Sequence, residues 1–329
     1  MMKKILNFAC WSLGQHATRN ILPAIKQSAK TNLIGIYTRD QLKLQECSTR
    51  FSCKAYTSVT QMLTDENVDA IYISSPTGIH GAQVRSALCH GKHVLVEKTA
   101  FSSLTLTQEL VSFARNNKLV LMEAFMYRFH QQFQLLEDLV ISEEYGKLKE
   151  IYCRFGFPHL DEKNIRYSKC LAGGALNDAG SYTLSAARQL LGESATVVWS
   201  TVGSEEGYEV DTIGSSVLIN GYGVIANCSW GFGFSYVNEI RLWYEKAHIL
   251  VDRAYSKPET FDSSILVYSN DNLIKKLNSG CDNHFESMLD YLSDIIHSDD
   301  FICEYEQLVN QAELIELVRS SPLASYDVL

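Results

Sequence analysis

Lys92-His93-Val94-Leu95-Val96-Glu97-Lys98-Thr99 begins polar, passes through three apolar residues and ends in two charges followed by a threonine. Val94-Leu95-Val96 is short, charge-free and mostly β-branched, the texture of a strand buried on both faces of a parallel sheet. Glu97 and Lys98 fall at its carboxyl end, where open α/β sheets take their ligands. A lysine there either reaches a ligand or is a solvated loop charge. The sequence around it decides which.

Working outward, strands and helices alternate. Strands are expected at 5–10, 33–37, a brief stretch ending at Tyr56, 70–73 and 119–122. Helices are expected at 20–26, 41–51, 59–63, 79–90 and 104–117. Pro23 sits early in its helix, where a missing N–H matters least. Connections this short between alternating elements predict a Rossmann-type, doubly wound parallel sheet. After Glu123 the pattern changes. A helix at 132–141, a strand at 148–157 and a helix ending at Leu191 lead into strands at 195–201, 212–219, 224–231, 239–244, 247–251 and 265–268. Helices at 284–296 and 304–318 close the chain. The expectation is an α/β first domain over 1–123 that binds a dinucleotide. An α+β second domain over 124–329 follows, with a large open, mainly antiparallel sheet.

The chain has 329 residues, 46% hydrophobic and 20% charged, with a formal net charge of −9. That acidity argues against a nucleic-acid partner, which needs a basic face. Nine cysteines without a Cys-x-x-Cys pair read as reduced thiols of a cytoplasmic protein. No His/Cys set has metal-ligand spacing; His90 and His93 merely flank a turn at Gly91. No apolar run approaches the length of a membrane span, and the interrupted apolar start reads as a first strand rather than a signal peptide.

The dinucleotide fingerprint after the first strand reads Ala9-Cys10-Trp11-Ser12-Leu13-Gly14, keeping only its last glycine. That position still offers a helix N-terminus to a phosphate. The second strand ends Tyr37-Thr38-Arg39 rather than in an acidic residue. An arginine beside a hydroxyl suits a 2′-phosphate, so NADP is expected over NAD, with Asp40 the one nearby carboxylate that could turn inward.

With these segments placed, the chain resembles the Gfo/Idh/MocA family of NAD(P)-dependent oxidoreductases over nearly its whole length. The residues that carry the resemblance are Pro76-x-x-x-His80, Glu97-Lys98, the block Glu123-Ala124-Phe125-Met126-Tyr127-Arg128-Phe129-His130, and Gly173-Gly174-Ala175-Leu176 with Asp178, Gly180 and Tyr182. A tyrosine at 182 is similar to the branch that holds glucose-fructose oxidoreductase, dihydrodiol dehydrogenase and keto-sugar reductases. Thr99 and Gln131 stand where the family usually has proline. Since the first of those prolines often follows a cis bond, the Lys98-Thr99 bond is either cis or trans with Lys98 shifted.

The resemblance implies hydride transfer between a nicotinamide and a carbohydrate, either a sugar or a nucleotide-linked keto-sugar, at a site between the domains. It implies Lys98 and Tyr182 as the proton-handling residues, the ammonium favouring the phenolate, with Asp178 orienting Lys98 or binding a sugar hydroxyl. Cofactor contacts are implied for Cys10, Trp11, Ser12, Leu13, Gly14, Thr38, Arg39, Ser75, Pro76, His80, Glu97 and Lys98. Tyr127 and Arg128, with Asp178, are the implied substrate contacts. It also implies a homodimer or homotetramer formed through the C-terminal sheet, and a last helix, about 304–320, packed back on the first domain. The rival expectation is a catalytically reduced member that binds a sugar or nucleotide as a sensor or partner protein. Trp230, Phe232 and Phe234 read as sheet-face packing more than as a sugar-stacking platform.

Overall fold

The computed structural model describes residues 5–192 and 195–320. By contact density the chain divides into two compact units. One holds the residues up to Phe125 together with Phe285–Ala312; the other holds Met126–His284 and the residues from Glu313 on.

The first unit alternates β1 (Leu6–Trp11), α1 (Leu22–Gln27), β2 (Thr31–Tyr37), α2 (Gln41–Phe51), β3 (Lys54–Ala55), α3 (Val59–Leu63), β4 (Ala70–Ile73), α4 (Thr77–Cys89), β5 (His93–Val96), α5 (Leu104–Asn116) and β6 (Leu121–Glu123). A π-helical turn, Ala17–Ile21, runs directly into α1. Among the described residues the strands form a six-stranded sheet in the order β3-β2-β1-β4-β5-β6, parallel throughout. All four residues of β4 are buried, as are Val94, Leu95 and Val96 of β5, which is why both read as unbroken apolar runs. Helix starts are set by short polar side chains. Asp40 accepts from Lys43 N at 3.0 Å at the head of α2, and Ser58 accepts from Gln61 N at 3.1 Å at the head of α3. The order reverses between β1 and β4, so the loops after these two strands flank the crevice where such sheets bind ligands. A hydrogen bond from Ser74 Oγ to Ser12 O, 2.8 Å, ties those loops together across 62 residues.

The second unit is built on α6 (Gln131–Ser142), β7 (Leu148–Phe157), α7 (Ser181–Leu191), β8 (Thr196–Gly203), β9 (Ile213–Ile219), β10 (Ile225–Phe232), β11 (Val237–Tyr244), β12 (His248–Asp252), β13 (Ser263–Ser269) and β14 (Asn272–Gly280). Its eight described strands run β14-β13-β12-β11-β7-β10-β9-β8. Only the β7–β10 pairing is parallel among them. Helix α7, preceded by the π-helical turn Leu176–Gly180, packs on the inner face; eight of its eleven residues besides Tyr182 are buried. Trp230 and Phe232 lie buried on that face and Phe234 is exposed, so the first two pack the sheet as expected.

Strand β14 was not expected from the sequence. It is an edge strand carrying Lys275 and Lys276, and most of it is exposed. Charges on an edge discourage pairing with other chains, and they also erase the apolar alternation by which a strand is recognised. Two helices close the described chain, α8 (His284–Ser298) and α9 (Ile302–Ser320). Within the first unit, Tyr305 of α9 donates to Leu119 O at 2.7 Å. No helix of the described residues is long and apolar enough to cross a membrane.

Candidate active site

In the first unit, the turn that carries Lys98 is clamped from four directions. Glu97 accepts a 2.5 Å hydrogen bond from the Tyr72 hydroxyl and lies 3.4 Å from His16 Nε2. Ala100 N donates to the buried Glu123 carboxylate at 2.8 Å, and Ala100 O faces His80 Nδ1 at 3.0 Å. Lys98 itself is half-buried, and its bond to Thr99 is cis, which settles the alternative left open by the sequence.

His80 is 1% exposed, and its other nitrogen lies 2.6 Å from Ser75 O. Burial holds its pKa below the ordinary histidine range, against the pull of the two carbonyls. His80, expected in the cofactor loop, braces the Ser75-Pro76 loop against the turn after Lys98, both ring nitrogens facing backbone carbonyls. Cys10 is likewise buried, its thiol on Ser12 O at 3.1 Å and its pKa pushed up by burial.

The residues present fit a dinucleotide at this edge. Ser12 adopts φ +79, the open conformation that a fingerprint glycine would otherwise supply, and its N–H is taken by Tyr37 O at 2.8 Å. Helical structure starts at Gln15, so the first-turn N–H groups after Gly14 lack intrahelical acceptors. At the end of β2, Arg39 is exposed and Thr38 half-buried. Asp40 does not turn inward: its carboxylate caps α2. The donor set at this corner is therefore a cation and a hydroxyl.

In the second unit, Tyr182 on α7 is 5% exposed. Its ring sits among Phe155, Tyr127 and Tyr255 at centroid distances of 5.6, 6.1 and 5.8 Å, and its hydroxyl lies 3.4 Å from Met126 Sδ. Tyr127 is not an open wall residue as the sequence suggested. It is fully buried behind Tyr182, its hydroxyl 2.8 Å from Ser185 Oγ, and burial pushes its pKa up. Arg128 is half-buried and its guanidinium stacks 5.3 Å over Phe129.

Asp178 is paired with a residue the sequence did not single out. Arg166 Nε donates to Asp178 Oδ2 at 2.6 Å, and the two side chains keep 40% and 16% exposure. Two glycines make this possible. A Cβ on Gly173 would lie 2.3 Å from Arg166 O, and Gly174, at φ +114, donates its N–H to that same carbonyl at 2.8 Å. Nothing local in Asn164-Ile165-Arg166 marks the arginine, because its partner is twelve residues away across a loop. Next to it, Tyr167 packs on Tyr208 and His159, with centroids 4.9 and 6.3 Å away.

Asp211 fixes the start of the Tyr182-bearing segment by accepting from Leu176 N at 2.5 Å. Burial raises its carboxyl pKa from 3.8 to about 6. A raised acid favours folding while protonated and loses that contribution as pH rises through the folded value. Between about pH 4 and 6, wild type should therefore lose stability relative to Asp211→Asn, with a flat difference above. Urea midpoints of both proteins at about pH 4.5 and about pH 7.5 check this; a difference that stays constant or moves the other way refutes it.

Two family models match the chain. The oxidoreductase family, NAD-binding Rossmann fold, matches residues 11–125, and the GFO/IDH/MocA C-terminal domain matches residues 133–250. A dTDP-3,4-didehydro-2,6-dideoxy-alpha-D-glucose 3-reductase of Saccharopolyspora spinosa is 33% identical over 266 residues, 81% of this chain and 80% of that one. D-xylose 1-dehydrogenase (NADP(+)) 2 of Haloferax volcanii is 34% identical over 216 residues, 65% of this chain and 66% of that one. Among solved structures, KijD10, a 3-ketoreductase from Actinomadura kijaniata in complex with NADP and TDP-benzene, superposes with a TM-score of 0.92. It has 24% identity and coverage of 97% of this chain and 98% of that one, which speaks to the fold.

Proposed function

The chain belongs to the GFO/IDH/MocA oxidoreductase family, and from that premise we propose an NADP(H)-dependent oxidoreductase that moves a hydride between nicotinamide and a carbohydrate, a sugar or a nucleotide-linked keto-sugar. The observation that carries the reading is the clamped turn at Lys98. Tyr72, His16, Glu123 and His80 all act on residues 97 and 100, at the ligand edge of a doubly wound sheet. A solvated loop lysine needs no such frame. The dTDP-keto-sugar reductase and NADP-dependent xylose dehydrogenase relatives support the substrate and cofactor class.

In this reading the first unit holds the cofactor, with Arg39 and Thr38 on the 2′-phosphate and the helix start after Gly14 on the pyrophosphate. The cofactor, when bound, supplies or takes up the hydride. Tyr182 gives its proton to the carbonyl oxygen and recovers it in the oxidative direction. The Lys98 ammonium stabilises the charge that builds on that oxygen. The second unit recognises the sugar, and its sheet joins copies of the chain into a homodimer or homotetramer in the cytoplasm. Exposed Trp199, Ile213, Ile225 and Trp243 on its strands support that role.

Thermal-shift titration with NADPH and NADH, followed by turnover on sugars and nucleotide sugars, tests the reading. Absence of any NADPH binding would leave only a sugar- or nucleotide-binding role. Arg39→Ala should weaken NADPH about ten- to hundredfold and leave NADH nearly unchanged, since only the 2′-phosphate loses a charge-assisted partner. Equal weakening of both cofactors removes Arg39 from the phosphate site.

A further inference from the structure

We propose that Arg166 is a positioning residue that sets the protonation equilibrium of Tyr182, with Asp178 as the arm that holds the guanidinium in place. The role assigned to Tyr182 rests on the proposed function; the electrostatic link does not.

Three features carry it. First, Asp178 and Tyr182 lie four residues apart on one continuous helical segment, so a group gripped by Asp178 sits on the Tyr182 side of that helix. Second, the grip is built. The 2.6 Å bond uses the guanidinium Nε, Asn164 accepts from both Arg166 N and Nη1, and Gly173 and Gly174 let the Arg166 backbone approach as no other residue could. Asp211 pins the far side of the same turn through Leu176 N. Third, Asp178 first and Tyr182 after it are among the groups that favour the charged form of the Arg166 guanidinium. Coulombic coupling is reciprocal, so a cation stabilised by the phenolate stabilises the phenolate in turn.

Among the groups that act electrostatically on Arg166 are Asp178, Tyr182 and Tyr167, and the rings of Phe155, Tyr127 and Tyr255 pack around Tyr182. Arg166 keeps 40% exposure, so water screens part of the guanidinium's field and the rest reaches the Tyr182 proton. The carboxylate serves a separate purpose: it fixes where that charge sits and offsets part of it.

The test labels the protein with 3-fluorotyrosine and assigns the Tyr182 resonance by its loss in Tyr182→Phe. The fluorine shift is then titrated against pH in wild type, R166M and R166K, with circular dichroism confirming the fold. R166M should move the Tyr182 titration to higher pH by about one unit, and R166K, which keeps the charge, should recover most of it. If R166M does not fold, R166Q replaces it. Titration of R166M or R166Q together with wild type overturns the inference. The readout needs no substrate, so a wild type without NADPH-dependent turnover would defeat the proposed function and leave this result standing. In an active enzyme, the limb of the kcat profile that follows the Tyr182 fluorine titration should shift with it.

Discussion

Tyr182→Phe is expected to lower turnover by about two to four orders of magnitude, the range lost when a positioned acid or base is removed, while NADPH binding is retained. The substitution removes one oxygen and keeps the ring. The phenyl ring would still pack among Phe155, Tyr127 and Tyr255. A fall in activity can then be read as lost chemistry and not as lost fold. Lys98→Met should give a comparable loss for the other half of the proton machinery. Its turn remains held by Tyr72 on Glu97 and by Glu123 and His80 on the Ala100 backbone. Turnover that survives Tyr182→Phe with cofactor bound would refute the mechanism, even if the enzyme reading stands.

Trp230→Ala should cost about 3–5 kcal/mol of stability, a large share of the roughly 5–15 kcal/mol typical of a whole domain. Trp230 is 1% exposed and stands opposite Gly214 in the β9–β10 pairing. Ideal Cβ positions on Gly180 and Gly214 would come within 2.9 and 2.3 Å of its ring, so the indole fills the space above both glycines. Neither neighbour has a side chain with which to close the gap. Its Nε1 has no hydrogen-bond partner among the described residues, so the loss is one of packing alone. Trp230→Phe should cost well under half as much. Urea unfolding of the three proteins decides it; an alanine variant within about 1 kcal/mol of wild type would mean that α7 collapses onto the sheet.

How much of this was legible beforehand follows from the range of each interaction. The β4 and β5 runs, and the placing of Glu97 and Lys98 at a strand end, depend on residues adjacent in sequence, and the structure bears them out. Edge strand β14 escaped because its lysines break the alternation. Asp40 shows the limit within a few residues: the same carboxylate could face a ribose or cap a helix, and its bond to Lys43 N decides for the cap.

By itself, then, the sequence determined an alternating α/β half followed by a strand-rich half, a lysine at the ligand edge of the first, and Asp178 and Tyr182 on one helical face of the second. These are properties of periodicity and spacing, which any chain carries locally. Only the tertiary structure decided that Glu123 would hold Ala100 from 23 residues away, that His80 would brace two loops from the interior, and that Arg166 would reach Asp178 past two glycines. A buried polar group takes whichever partner the closed fold brings within about 3 Å, and leaving it without one costs about 1–3 kcal/mol. That selection depends on the closed fold, and linear spacing does not encode it.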